Sequence, residues 1–251
     1  MKVVTFFSGK GGVGKTTMTA MFASYLRYKK EETVMVMDFD MPVFNMMQFR
    51  RRDRELCEDS ANSMLIRLTC ESPSAYKIAL CPKGYAVSEK NRSELVDYFR
   101  RIKDHSGGYY LLDFPGSFLD TDVSYTLLKS GVIDLAVLMA DSDPQSIQSV
   151  LMVDKMLKES GFPDRDVVLW NKETRQERTG KKDWYEEPAR EFENRGIPVL
   201  SKKMHEIDSL RRESDANGFL RSTVCWPQSN INKNCRYIEE IFEEIKAIVD
   251  K

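Results

Sequence analysis

The run Gly9-Lys10-Gly11-Gly12-Val13-Gly14-Lys15-Thr16 constrains this chain more than any other stretch. Four glycines in eight residues cannot continue a helix or a strand, so the run must be a loop. Before it, Val3 to Phe7 is entirely β-branched or aromatic and predicts a strand. After it, Thr16 to Lys29, with Ala20, Met21, Ala23, Tyr25 and Leu26, predicts a helix. A strand, a G-x-x-x-x-G-K-[ST] loop and a helix make a phosphate cradle. The glycines let consecutive N–H groups point inward, and the helix N-terminus adds a favourable dipole. Lys15 brings a mobile positive charge for the β- and γ-phosphates, and the Thr16 hydroxyl can ligate Mg²⁺. The expected phosphate-binding residues are Gly11, Gly12, Val13, Gly14, Lys15, Thr16 and Thr17.

The rest of the chain alternates in the same way. Thr33–Met37, Tyr76–Leu80, Tyr109–Leu112, Ile133–Met139, Val167–Trp170 and Ile197–Leu200 predict further strands. Most are continuously apolar, as strands buried on both faces of a parallel sheet are. Between them, 93–103, 122–129, 146–159, 185–195 and 234–250 predict helices, the third opening behind Asp143-Pro144-Gln145. Strands alternating with helices mean βαβ units. The expectation is an α/β protein of the P-loop NTPase fold, with a mostly parallel central sheet flanked by helices on both faces. There are no repeats and no composition break across the 251 residues, so one domain over 1–251 is expected.

In such sheets the chemistry gathers at the carboxyl ends of the strands. Asp38 and Asp40 close the second strand two residues apart, so both point the same way if the strand continues. One can hold the Mg²⁺ shell or brace the loop while the other orients the attacking water. Asp113 ends the Tyr109–Leu112 run ahead of Phe114-Pro115-Gly116 and reads as a second Mg²⁺-associated carboxylate. The metal set is Thr16, Asp38 and Asp113; the catalytic set is Lys10, Lys15, Asp38 and Asp40. Asn171 ends the Val167–Trp170 run, where its amide can read a purine edge. Asn171-Lys172-Glu173-Thr174 is similar to the guanine-reading N-K-x-D signature but has Thr174 in place of the carboxylate, which favours adenine, hence ATP. Pro227 lies on the other side of the base or in an ordinary loop. Lys10, which the ordinary motif does not require, can reach its own nucleotide, project into solvent, or neutralise a nucleotide on a facing subunit.

Composition narrows the functional classes. Lys plus Arg number 38 and Asp plus Glu 39, a net charge of -1, which excludes a globally basic nucleic-acid coat. Two local runs, 50–54 and 172–182, are each net +3 and read as solvated faces or as contact surfaces. Five cysteines without a C-x-x-C pair and only two histidines argue against a disulfide framework or a standard metal cluster. No apolar run approaches the roughly 18 residues of a membrane span, and Met1–Phe7 is too short for a signal peptide, so a cytoplasmic location is expected.

Taken together, these residues resemble the deviant Walker A ATPases, the ParA/MinD/Soj family. The family signature K-G-G-V-G-K-T-T stands intact at Lys10–Thr17. Asp38-Phe39-Asp40-Met41-Pro42 matches its D-x-D-P segment with one residue inserted, and Asp113-Phe114-Pro115-Gly116 resembles its second aspartate motif. Asp143-Pro144 and the 223–230 loop also look like family features. The closest look is to ParA-like ATPases of plasmids and conjugative elements, notably Bacteroides-type mobile elements. Val43 departs from the glutamine usual after the D-x-D-P proline in the partitioning subgroup, and 44–58 is heavily charged.

The resemblance implies slow Mg²⁺-dependent ATP hydrolysis by a homodimer that forms on ATP binding, with Lys10 on the partner's phosphates and Asp40 positioning the water. It also implies a protein partner that stimulates hydrolysis, and partition or maintenance of mobile DNA. Nonspecific DNA contacts, and with them nucleoid association, would come from Lys172, Arg175, Arg178, Lys181, Lys182, Lys202, Lys203, Arg211, Arg212 and Arg221. Two alternatives stay open: an assembly ATPase of a conjugative-transfer system that recruits a protein without DNA, and a nucleotide-gated scaffold with negligible turnover. The membrane branch of the family ends in a basic amphipathic helix. Residues 236–251 are net -2, which an anionic bilayer repels, so a core-packing helix is expected there and membrane binding is not.

Overall fold

The computed structural model describes residues 1–58, 76–81, 88–105, 107–117, 119, 122–180, 184–207 and 235–251. Six strands form one sheet: β1 (Lys2–Phe7), β2 (Val34–Asp38), β3 (Lys77–Leu80), β4 (Tyr109–Asp113), β5 (Leu135–Ala140) and β6 (Asp166–Trp170). Their order is β3-β2-β4-β1-β5-β6, and every pair is parallel. The helices are α1 (Lys15–Lys29), α2 (Asn45–Glu58), α3 (Glu89–Lys103), α4 (Val123–Lys129), α5 (Pro144–Glu159), α6 (Arg175–Arg178), α7 (Glu186–Asn194) and α8 (Arg236–Val249).

Alternation along each strand sends side chains to opposite faces. Val4 and Phe6 join the cluster under α1 and α8, while Val3 and Phe7 join the one under α3, α4, α5 and α7. Helices therefore cover both faces, and the strands are apolar throughout. The first cluster centres on Phe22 of α1, whose ring meets Phe6, Tyr25, Tyr109 and Phe242. A fully buried Phe contributes about 1.5–3 kcal/mol. The exposed pairs Lys29–Glu239 and Lys30–Glu243 at the rim of the α1–α8 seam are each worth about 0–1 kcal/mol. Apolar burial of Ile238, Ile241, Phe242, Ile245 and Val249 thus holds α8 against the sheet, as its spacing predicts. Among the described residues no helix is long and apolar enough to cross a membrane.

Three elements differ from the sequence reading. Residues 197–200 make a single bridge, Val168 to Val199, rather than a strand. Pro198 accepts a bond from the Val168 N–H but has no N–H of its own to extend the ladder. Helix α2 occupies the charged stretch after Asp40, and Met46 is its one buried residue among those whose side chains are described. The short α6 is closed by a capping box in which Thr174 and Glu177 satisfy each other's backbone N–H groups.

One buried pair lies far from the loop end of the sheet. Asp166 opens β6 with both carboxylate oxygens buried and unpartnered, and Asp154 of α5 is also buried. Burial first, and Asp154 second, push Asp166 up to about 7. An acid whose folded pKa is raised favours the fold below its unfolded pKa, and that contribution disappears as pH rises through the folded value. Stability should therefore fall between about pH 4 and pH 7 through this group. Asp166→Asn removes the titration. In thermal melts from pH 4.5 to 8, its melting temperature relative to wild type should move in the variant's favour as pH rises. A pH-independent difference would contradict this account.

Candidate functional site

The carboxyl ends of β1, β2, β4, β5 and β6 bring the sequence-predicted residues to one edge of the sheet. After β1 the glycine loop runs into α1, with Gly14 at the N-cap in the left-handed region (φ 99°). Gly12 is also left-handed (φ 71°), and a Cβ on Gly11 or Gly12 would meet nothing within 4 Å. That open concavity, walled by backbone at the start of a 15-residue helix, has the shape a polyphosphate needs. The Lys15 Nζ, buried in it, donates to the Lys10 carbonyl at 3.1 Å. Burial lowers the Lys15 pKa, against the pull of the Asp113 and Asp40 carboxylates.

Register brings the two buried carboxylates together, since Asp38 and Asp113 are direct partners across β2 and β4. Their environments differ. Asp38 accepts the backbone N–H groups of Asp40 (3.0 Å) and Met46 (2.9 Å), so it pins the turn between β2 and α2. Of the two roles open to it, bracing is the one its hydrogen bonds perform. Burial raises its pKa against those bonds. Asp113 is fully buried, and neither of its oxygens accepts a well-aligned hydrogen bond, the Thr16 hydroxyl being its hydrogen-bonding neighbour. Burial, followed by the Asp38 charge, pushes it up to about 8, with Thr16 and Lys15 as the neighbours that favour its ionised form. An orphaned carboxylate facing a Thr hydroxyl is a donor set that fits a hard divalent cation. Asp40 is half-buried at the same edge and accepts from the Asn45 amide.

Lys10 does not point freely into solvent. Its Nζ is 2.8 Å from the Asp143 carboxylate and 3.7 Å from that of Asp141. Asp143 also caps α5 by accepting the Gln145 N–H at 2.8 Å, and Gly9 N–H donates to Ser149 of α5 at 2.6 Å. The start of the loop is thus tied to α5.

Beside the loop lies a cavity of about 410 Å³, its walls including Gly12, Thr17, Met18, Asn171, Lys172 and His205. Asn171 lines it, with its amide donating to the Val13 carbonyl. Lys172, with left-handed backbone (φ 60°), donates from Nζ to the Gly12 carbonyl at 2.6 Å. The sequence reading placed Lys172 in the run similar to N-K-x-D and on a surface patch but gave it no role of its own; its position next to Asn171 was the available signal. Other patch members are also engaged: Lys202 with Glu240, Lys203 with Glu173, and Arg178 with His205. Pro227, Lys181, Lys182, Arg211, Arg212, Arg221 and the 223–230 loop lie outside the described residues.

The comparisons with known proteins accord with this geometry. The family model for the CobQ/CobB/MinD/ParA nucleotide binding domain matches residues 4–249. The chain belongs to this family. No curated protein matches it by sequence. Among solved structures, the septum site-determining protein MinD of Pyrococcus horikoshii, complexed with Mg-ADP, is similar at 18% identity and TM-score 0.61, over 97% of this chain and 95% of that one. An aspartate-to-alanine variant of McdA from Cyanothece, complexed with ATP, is similar at 17% identity and TM-score 0.59, over 100% and 96%. A plasmid partition protein of Borrelia burgdorferi is similar at 15% identity and TM-score 0.52, over 82% and 90%. These likenesses share the ParA/MinD fold.

One close contact ties the two loops of this ParA/MinD site together. A Cβ on Gly116 would stand 2.7 Å from both N and Cα of Gly11. Backbone cannot yield as a flexible side chain can, so Gly116→Ala must displace one loop. The expected result is nucleotide binding weakened about tenfold or more in calorimetry, with the melting temperature lowered by roughly 2–10 °C. Unaltered affinity would mean that the Asp113 loop and the phosphate loop move independently.

Proposed function

We propose that the chain is an ATP-hydrolysing switch that closes as a homodimer around two nucleotides and serves the partition or maintenance of plasmid or mobile DNA. The observation that carries the reading is the convergence of Lys15, Thr16, Asp38, Asp40 and Asp113 at one sheet edge, under an open glycine cradle. The family match supports nucleotide binding, and the Mg-ADP and ATP held by the MinD and McdA relatives support the choice of nucleotide.

In this mechanism the N–H groups of Gly11 to Thr17 hold the phosphates, and Lys15 leaves the Lys10 carbonyl for phosphate oxygens. Mg²⁺, held by Thr16 and Asp113, would neutralise phosphate charge when bound. Asp38 keeps the turn to α2 in place, so Asp40 faces the γ-phosphate and orients a water molecule. The water oxygen bonds to phosphorus as the bond to the β–γ bridging oxygen breaks, giving ADP, phosphate and a proton. Lys10 exchanges Asp141 and Asp143 for the phosphates of the partner subunit, adding charge stabilisation in a site closed to bulk water. Asp40→Ala should bind ATP and dimerise but hydrolyse about 100-fold more slowly in a phosphate-release assay. Normal turnover there would remove Asp40 from the mechanism. Lys10→Ala should dimerise poorly while each monomer still binds ATP, which light scattering alongside calorimetry would separate.

The second reading, an assembly ATPase that recruits a protein without DNA, is favoured by the intramolecular partners that Lys172, Lys202, Lys203 and Arg178 already have, two of them carboxylates. Fluorescence anisotropy of a random-sequence duplex distinguishes the two. A DNA carrier should bind with ATP but not ADP, and binding should weaken steeply with salt. Absence of binding in both states favours the protein-partner reading. A scaffold with negligible turnover would show closure without phosphate release in the wild type.

A further inference from the structure

Among the described residues lining the cavity beside the phosphate loop, His205 carries the one aromatic ring. The backbone fixes its place. Met204 N–H donates to the Trp170 carbonyl (2.8 Å), Glu173 N–H to the Met204 carbonyl (3.0 Å), and Glu206 N–H to the Glu173 carbonyl (2.9 Å). These bonds flank His205 on both sides, leaving the segment little slack beside the end of β6.

The ring is held on three sides. Tyr237 of α8 stacks on one face, with centroids 4.1 Å apart and planes 29° from parallel. The Arg178 Nη1 lies 3.0 Å from Nδ1. A guanidinium can only donate, so Nδ1 accepts and the ring hydrogen sits on Nε2. Nε2 in turn faces the Glu173 carboxylate at 3.4 Å. Burial, and then Arg178, hold the His205 pKa below its ordinary value, so the ring is neutral near pH 7. Two edges and one face are taken. The side chain is still 28% exposed and lines the cavity, and among the described residues no ring stacks on the face opposite Tyr237.

We infer that His205 is the platform on which the nucleobase stacks, with the Tyr237 ring as the layer behind it. The inference rests on the proposed nucleotide site and adds the residue that grips the base. It follows from the geometry of the wall: a planar, neutral ring braced from behind and at its edges, beside the loop that holds the phosphates. A flat ring grips any base by its π-face and grips purines more firmly, because they offer more area. Polar selection of the base edge is left to groups such as Asn171.

The test crosses two changes in the protein with three ligands, using the full chain with Mg²⁺ in calorimetry. The ligands are ATP, UTP and inorganic tripolyphosphate, which has no base. His205→Ala should weaken ATP by about 5- to 100-fold, the stacking of one base on one ring. UTP should lose less, and tripolyphosphate should bind as it does to wild type. His205→Phe, which keeps a ring against Tyr237, should restore ATP to near the wild-type level. Undiminished ATP binding by His205→Ala would overturn the platform. Equal weakening of ATP and tripolyphosphate would also overturn it, since His205 would then be acting on the phosphate loop. Failure of the wild type to bind either ATP or tripolyphosphate would instead remove the nucleotide site itself.

Discussion

A buried carboxylate costs several kcal/mol unless something answers its charge, and this protein sets two side by side at the end of adjacent strands. The register of β2 on β4 makes that juxtaposition unavoidable. Asp38 is answered locally by two N–H groups from the turn it pins. Asp113 is left unanswered, with Lys15 and Thr16 as its neighbours. Burial pushes the Asp113 carboxyl up to about 8, so it ionises fully near neutral pH only when added positive charge stands beside it. The apolar strands and the two helix layers, with Phe6, Phe7 and Phe22 fully buried, hold the two carboxyl groups in place.

Most of this was legible because local chemistry dictated it. Four glycines ahead of Lys15 have few conformational options, and apolar runs ending in Asp38 and Asp113 locate the working edge of a parallel sheet. Long-range pairing was not legible. The tie from Lys10 to Asp143 joins positions more than a hundred residues apart, and no spacing rule connects them. Helix α2 was hidden because charged residues dominate its composition. Residues 197–200 failed as a strand through one missing donor, at Pro198. Lys172 looked like a surface cation because a residue's neighbours across the fold, not its type, put it against Gly12.

The base side of the cavity shows how secondary structure prepares a binding wall. Beside β6, which ends at Trp170, the following segment is held by single bridges, Val168 to Val199 within the strand and Glu173 to His205 beyond it. The chain gains the positional accuracy of a strand while its side chains escape the strict alternation of a sheet. Asn171, Lys172 and His205 can all border the same cavity for that reason. The acidic helix α8, whose apolar stripe packs on α1, contributes Tyr237 from its first turn, so a core element also serves the site.

The contact of Gly116 with Gly11 differs in kind from the tie between Lys10 and Asp143. The first is close packing of backbone on backbone that leaves no room for a Cβ, and it is indifferent to ionic strength and to pH. The second is a partly solvated ion pair, which added salt weakens. The phosphate loop therefore has two couplings with separate dials. One transmits displacement to the Asp113 segment like a rigid linkage, and the other holds the loop to α5 with a grip that the medium can loosen.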